Sequence, residues 1–264
     1  MRRRNMSLWH MPGLSINFGL ALVFLYLPIV LLVLLSFNTN KVATLWTGFS
    51  LRWYSTVFDN PNILRAASNS LIVACIATIV STVLATMAAL AMSGRRFKGQ
   101  SVISGVLGLP LLVPEIVTAV ASLLFFLSLG MSLGLHTVAI AHIVFCIPFA
   151  YLPIKARLSD MDPRLIEAAY DLYAIPWQAF CRVTFPLLLP GIISGAMLAF
   201  IASIDDFVIT FFVAGPGATT LPVYIFGMVR MGITPEVNAL AALLLMASIA
   251  FVGVSWWIGQ RDRS

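Results

Sequence analysis

Apolar runs of about twenty residues recur from one end of this sequence to the other, and they constrain its fold more than any motif does. Inside a hydrocarbon layer every backbone N–H and C=O must be satisfied by the chain itself, so runs of this length read as membrane-spanning helices. Six spans are expected, at roughly 15–36, 66–92, 102–129, 136–154, 188–213 and 236–258. The composition agrees: 60% of the 264 residues are hydrophobic and 10% charged, with a mean hydropathy of +0.98, where a soluble domain carries about 25% charged residues. The expected fold class is therefore an all-α membrane protein, a single transmembrane domain over residues 1–264.

The first span follows Arg2, Arg3 and Arg4, which resembles the basic start of a signal peptide. Its apolar core is too long for one, and no small-residue cleavage pattern follows Ser36, so it is expected to remain as a helix. Basic residues set the orientation, because cytoplasmic loops retain Lys and Arg. With the N-terminus inside, the inner segments hold Arg2, Arg3, Arg4, Arg95, Arg96, Lys98, Lys155, Arg157, Arg164, Arg182, Arg261 and Arg263, which is 12 of the 16 basic residues. Lys41, Arg52, Arg65 and Arg230 fall outside. Both termini are thus expected in the cytoplasm, and the net charge of +6 follows topology without any need for nucleic acid. Cys75, Cys146 and Cys181 lack metal-ligand spacing and suggest neither disulfide nor metal site.

The longest inner loop, RLSDMDPRLIEAAYDLYAIPWQAFCRVTFP, carries four of the ten acids, Asp160, Asp162, Glu167 and Asp171. Asp162-Pro163 is a good helix start. Leu165, Ala168, Ala169 and Leu172 then share a face at i, i+3, i+4 and i+7. Pro176 opens a second short helix, and Pro186 and Pro190 lead into the fifth span. An amphipathic connector at the membrane surface would read the same way.

EAAYDLYAIPWQAFCRVTFP resembles the EAA loop of the permease subunits of binding-protein-dependent ABC importers. That pattern places Glu-Ala-Ala, three residues, Gly, nine residues, then an aliphatic, any residue, Leu and Pro; here the positions are Glu167, Ala168, Ala169, Tyr173, Val183, Phe185 and Pro186. The resemblance implies a type I importer permease fold of about six spans. Its coupling helix, between spans 4 and 5 in the EAA loop (about 155–187), would dock Glu167 and the Ala168–Ala169 face on a cytoplasmic ATPase. Tyr173 stands where the family has glycine. Either tyrosine adopts the left-handed conformation, at a cost on the order of 1 kcal/mol, or the turn is remodelled. No GxxxxGK[ST] phosphate loop is present, so this chain is expected to hydrolyse nothing and to bind no cofactor, with ATP and Mg on partner subunits.

The rest of the chain is similar to the inner-membrane subunits of putrescine/spermidine importers, through SFNTNKVATLWTGFSLRWY, LPLLVPEIVTA, HIVFCIPFA, SIDDFVITFFVAGPGATTLP and MGITPEVNAL. The resemblance implies a second permease subunit (a heterodimer), two ATPase subunits, a periplasmic polyamine-binding protein and a bacterial inner-membrane location. It also points to Asp205, Glu115 and Trp53 as residues of the substrate path.

The residues themselves point to a cationic passenger. Acids within spans cost about 2.5–3.5 kcal/mol each on insertion scales and are rare without a purpose. Three fall there, Glu115, Asp205 and Asp206, while no Lys or Arg is central in any span; His142 is the other titratable candidate, read as a packing or hydrogen-bonding residue. On a continuous helix adjacent residues point about 100° apart. Asp206 would then share a path-lining stripe with Ser203 and Thr210, and Asp205 would pair with another helix. Pro110 and Pro114 interrupt the third span beside Glu115, which either contacts substrate or caps the broken helix. Trp46, Trp53 and Tyr54 either meet ammonium groups by cation–π contact or form an interfacial belt. Gly215-Pro216-Gly217 marks a turn and Pro222 a short helix near the gate. Other readings are an importer permease for a thiamine-like cargo and a proton-coupled secondary transporter.

Overall fold

The computed structural model describes residues 12–40, 45–93, 97–232 and 234–261, the side chains of 12–14 and 250–261 excepted. Arg2, Arg3, Arg4, Lys41, Arg95, Arg96 and Arg263 of the charge argument lie outside the described residues. The chain is helical throughout: α1 (Pro12–Leu35), α2 (Arg52–Asp59), α3 (Pro61–Met92), α4 (Gln100–Leu112), α5 (Glu115–Ser128), α6 (Leu135–Ser159), α7 (Arg164–Asp171), α8 (Pro176–Ala179), α9 (Phe185–Ile204), α10 (Val208–Val213), α11 (Leu221–Met231) and α12 (Pro235–Arg261). Among the described residues β-structure is limited to one bridge, Asn38 to Phe49.

Helices cover all six expected spans, but two of the six are broken. In the third, α4 and α5 meet at 108°. Pro114 lacks an N–H and drives the residue before it out of the helical region, and Val113 is extended at φ −82°, ψ 133°. Pro110 is absorbed within α4. The fifth span departs from the continuous helix expected over 188–213: α9 ends at Ile204 and α10 starts at Val208. The cause is Asp206, whose carboxylate accepts the N–H groups of Ile209 (3.2 Å) and Thr210 (2.9 Å) and so begins a new helix. The same span begins earlier than expected. The second short helix does not stand apart; α8 passes through a π turn, Phe180–Thr184, straight into α9.

Two compact units divide the chain, Leu64–Tyr224 and the flanking segments up to Ile63 and from Ile225. In the flanking unit α12 packs on α1 and α2. There Asn38 ties down the segment before α2, donating to Leu45 C=O (2.7 Å) and accepting the Thr47 N–H (3.1 Å).

The Leu64–Tyr224 unit is built on an antiparallel seam between α6 and α9. Along α9 the residues Gly191, Gly195, Ala199 and Ser203 recur every four positions and present a line of small side chains, which in lipid is what lets helix backbones approach. A Cβ on residue 195 would stand 2.5 Å from the Ala150 carbonyl oxygen, and one on residue 191 would stand 2.6 Å from Arg157 Cβ. Further along, the Cys146 thiol donates to Ala199 C=O at 3.4 Å and His142 bonds Ser203 at 2.8 Å. At the other end Arg157 Nε donates to Leu187 C=O at 2.9 Å. A second anchor is the turn Gly215–Ala218, closed by the Ala218 N–H on Gly215 C=O (3.1 Å), with Gly217 at φ +78° after Pro216. These are type II features. Asn69 of α3 holds it by donating to the carbonyls of Gly217 and Thr219, both at 3.0 Å.

Between α6 and α9 lies the loop of α7 and α8. Asp162 opens α7 as expected, accepting the Arg164 N–H at 3.0 Å. Its end is a Schellman turn: Ala174 N–H reaches Ala169 C=O (3.0 Å) and Tyr173 N–H reaches Tyr170 C=O (2.9 Å). Tyr173 sits at φ +59°, the only non-glycine residue at positive φ among the described residues, and is 94% exposed. The turn is therefore kept, with tyrosine in the conformation that glycine favours.

Two outcomes are expected. Gly195→Ala destabilises the protein by about 1–3 kcal/mol, because the added methyl meets backbone, whereas Gly105→Ala in α4, with open space around it, costs nothing; thermal unfolding of the purified protein in detergent separates the two. Tyr173→Gly relieves roughly 1 kcal/mol of left-handed strain, so exchange of the Ala174 amide slows about fivefold. Faster exchange would mean that the tyrosine side chain supports the turn.

Candidate functional site

The breaks in the two spans are where the intramembrane acids sit. Glu115 is the first residue of α5, where the helix dipole favours an anion. Asp205 closes α9, and Asp206 begins the turn into α10. The Glu115 carboxyl interacts with that of Asp206, so the broken ends of the third and fifth spans meet at their carboxyl groups.

The two aspartates have different surroundings. Asp206 is 5% exposed. Besides the two backbone N–H groups, its carboxylate accepts the Thr210 hydroxyl at 3.0 Å and faces His142 Nε2 at 3.0 Å. Asp205 is exposed; its N–H closes α9 on Ile201 C=O (3.2 Å), and its carboxylate has no hydrogen-bond or ion-pair partner among the described residues. This reverses the helical-wheel expectation, in which Asp206 would line the path and Asp205 would pair with another helix. A helical wheel holds only for a continuous helix; with the chain broken between Ile204 and Val208, Asp206 turns inward to α6.

His142 is the residue the sequence undervalued. It is fully buried on α6, and both ring nitrogens are engaged, Nδ1 with Ser203 (2.8 Å), Nε2 with Thr210 (2.9 Å) and Asp206. The hydrogen-bonding role expected for it holds. Its signal was available in the four-residue spacing of His142, Cys146 and Ala150, which matches the small residues of α9.

Trp53 belongs to the flanking unit, where it is buried with its indole N–H donated to Asn38 C=O at 2.7 Å. The Arg52 guanidinium lies 5.8 Å from its ring centroid. On the α7 loop, Glu167 and Ala168 are exposed while Ala169 is buried. The small face expected from Ala168 and Ala169 is thus divided: Ala169 packs inward, and Leu165, Leu172 and Tyr173 extend the exposed side.

Residues 81–259 match the family described as the binding-protein-dependent transport system inner membrane component. The chain is 38% identical over 239 residues to the spermidine/putrescine transport system permease protein PotC of Haemophilus influenzae, covering 90% of this chain and 93% of that protein. It is likewise 38% identical to the putrescine transport system permease protein PotI of Escherichia coli K12, covering 97% and 94%. Among solved structures, a chain of a bacterial ABC transporter that imports the acidic polysaccharide alginate matches with a TM-score of 0.72 at 16% identity, over 92% of this chain and 93% of that one. A chain of the MetNI methionine ABC transporter matches with a TM-score of 0.62 at 19% identity, over 73% and 91%. Apolar helices broken at acid-bearing joints, and a helical loop with intact EAA spacing, are thus carried on an ABC importer permease fold: the chain belongs to the binding-protein-dependent transport system inner membrane components, multi-pass proteins of the inner membrane.

Proposed function

We propose that this chain is the permease subunit that passes a polyamine, putrescine or spermidine, from the periplasm to the cytoplasm. The observation that carries the reading is the meeting of two broken spans at carboxyl groups, Glu115 with Asp206, beside an exposed and unpartnered Asp205. Among the described residues no Lys or Arg is ion-paired to any of them. A polyamine carries ammonium groups on a flexible chain, and each is matched by a carboxylate. Two relatives at 38% identity, named for spermidine/putrescine and putrescine transport, support the same cargo. An anionic cargo would call for basic residues at these joints.

In this reading the chain works by alternating access with a second permease subunit, which makes the core a heterodimer. Two cytoplasmic ATPase subunits hold the ATP and Mg, so this subunit itself is not an enzyme and binds no cofactor. A periplasmic binding protein delivers the cargo. Both termini lie in the cytoplasm, and Glu167, Ala168, Ala169 and Tyr173 couple the loop to an ATPase, with Ala169 acting from within. Asp205 and Glu115 meet the ammonium groups. Asp206 sets the joint they stand on, and Trp53 holds the segment before α2 in place.

In the complex reconstituted in vesicles, the binding protein loaded with putrescine or spermidine is expected to stimulate ATP hydrolysis. Asp205→Asn keeps that stimulation and lowers polyamine uptake by roughly ten- to a hundredfold, the equivalent of one charge-assisted hydrogen bond. Absence of stimulation by either polyamine in an assembled complex would remove the cargo assignment and leave the family.

A further inference from the structure

The His142 side chain bonds both halves of the fifth span at its break. It bonds Ser203 one residue before the end of α9, and it bonds Asp206 and Thr210 at the start of α10. Its hydrogen bonds fix how it does so. The Thr210 hydroxyl donates its single proton to Asp206 Oδ2, at 3.0 Å. It therefore has none to give His142 Nε2, 2.9 Å away. Nε2 must carry the proton and donate it to the Thr210 oxygen and to Asp206 Oδ2. Asp206 Oδ2 then receives the Thr210 N–H, the Thr210 hydroxyl and the imidazole, while Oδ1 receives the Ile209 N–H. Oδ2 is thereby saturated, and at 5% exposure Asp206 offers little surface to an ammonium group. Asp205, one residue earlier, keeps all of its own carboxylate acceptors.

We propose that His142 is a positioning residue of the transport path: it clamps α9 and α10 to α6 and commits Asp206 to the joint, so that Asp205 and Glu115 are left to meet the passenger. The clamp stands at the end of the α6–α9 seam away from the α7–α8 loop, since the seam runs from Arg157 and Gly191 beside that loop to His142 and Ser203 at the break. Movement of the loop reaches the acids through this imidazole. Without it Asp206 would lose its only ion-pair partner among the described residues. The proposal rests on the polyamine reading for the identity of the passenger, while the clamp itself does not depend on cargo.

The test uses the reconstituted importer with two readouts. In the first, this subunit carries ring-15N histidine and is examined by solid-state NMR, the His142 signals being assigned by their loss in His142→Gln. The expected signature is a protonated Nε2 that shifts in Asp206→Asn and Ser203→Ala and stays in place in Asp205→Asn. In the second, polyamine uptake per ATP hydrolysed falls at least about tenfold in His142→Leu, which matches the volume but bonds nothing. In His142→Gln, whose amide nitrogen reaches Asp206 and whose oxygen accepts from Ser203, it stays within about threefold of wild type. A His142 signal indifferent to Asp206→Asn would overturn the clamp. Wild-type uptake per ATP in His142→Leu would overturn the positioning role, as would uptake and ATP hydrolysis falling in parallel. If the wild-type importer moved neither putrescine nor spermidine, the cargo assignment would fail, and the nitrogen signals would still decide the clamp.

Discussion

The backbone of α9 lies so near α6 that the Ala150 carbonyl occupies the place a side chain on residue 195 would need. In lipid no hydrophobic gain draws two helices together, so their association depends on close packing and on polar links between them. This seam supplies both: small residues every four positions along α9, and bonds from Arg157, Cys146 and His142 on α6. The connection between these same two helices is the α7–α8 loop. The small-residue line and these bonds join the two helices that flank the loop as far as the break of the fifth span.

The joints at the acids are polar and local by contrast. Glu115 starts a helix because Pro114 stops the one before it, and Asp206 starts a helix by taking up two backbone N–H groups. A broken span frees backbone groups that lipid cannot satisfy. At the fifth span one carboxylate satisfies them, and its charge is in turn met by an imidazole from another helix. The neighbouring aspartate is spared that duty and is exposed.

Much of this was legible in the amino-acid sequence, for identifiable reasons. Spans follow from the lengths of apolar runs, and the α7 start follows from Asp162-Pro163, because both are properties of neighbouring residues. The Gly215–Ala218 turn and the interruption at Pro114 were readable for the same reason. The break between Ile204 and Val208 was not, since no proline or glycine stands there and the partner that stabilises it, His142, comes from a distant part of the chain. Everything inferred about the facing of Asp205 and Asp206 depended on that break. The 108° angle between α4 and α5 was equally out of reach, because a proline announces a kink but neighbouring packing sets its size. Tyr173 was legible as two alternatives, and the backbone bonds of Ala174 and Tyr173 favour the left-handed turn.

The π turn at Phe180–Thr184 has a consequence for how this loop can vary. A π turn is an α-helix carrying one surplus residue. Removing a single residue from it would let α8 and α9 merge in ordinary α geometry with no loss of hydrogen bonding. Because the wider i→i+5 turn takes up the extra residue within itself, the segments before and after it keep nearly the rotational phase of an unbroken helix. The direction in which Glu167 and Ala168 face therefore tolerates one residue more or fewer at this turn.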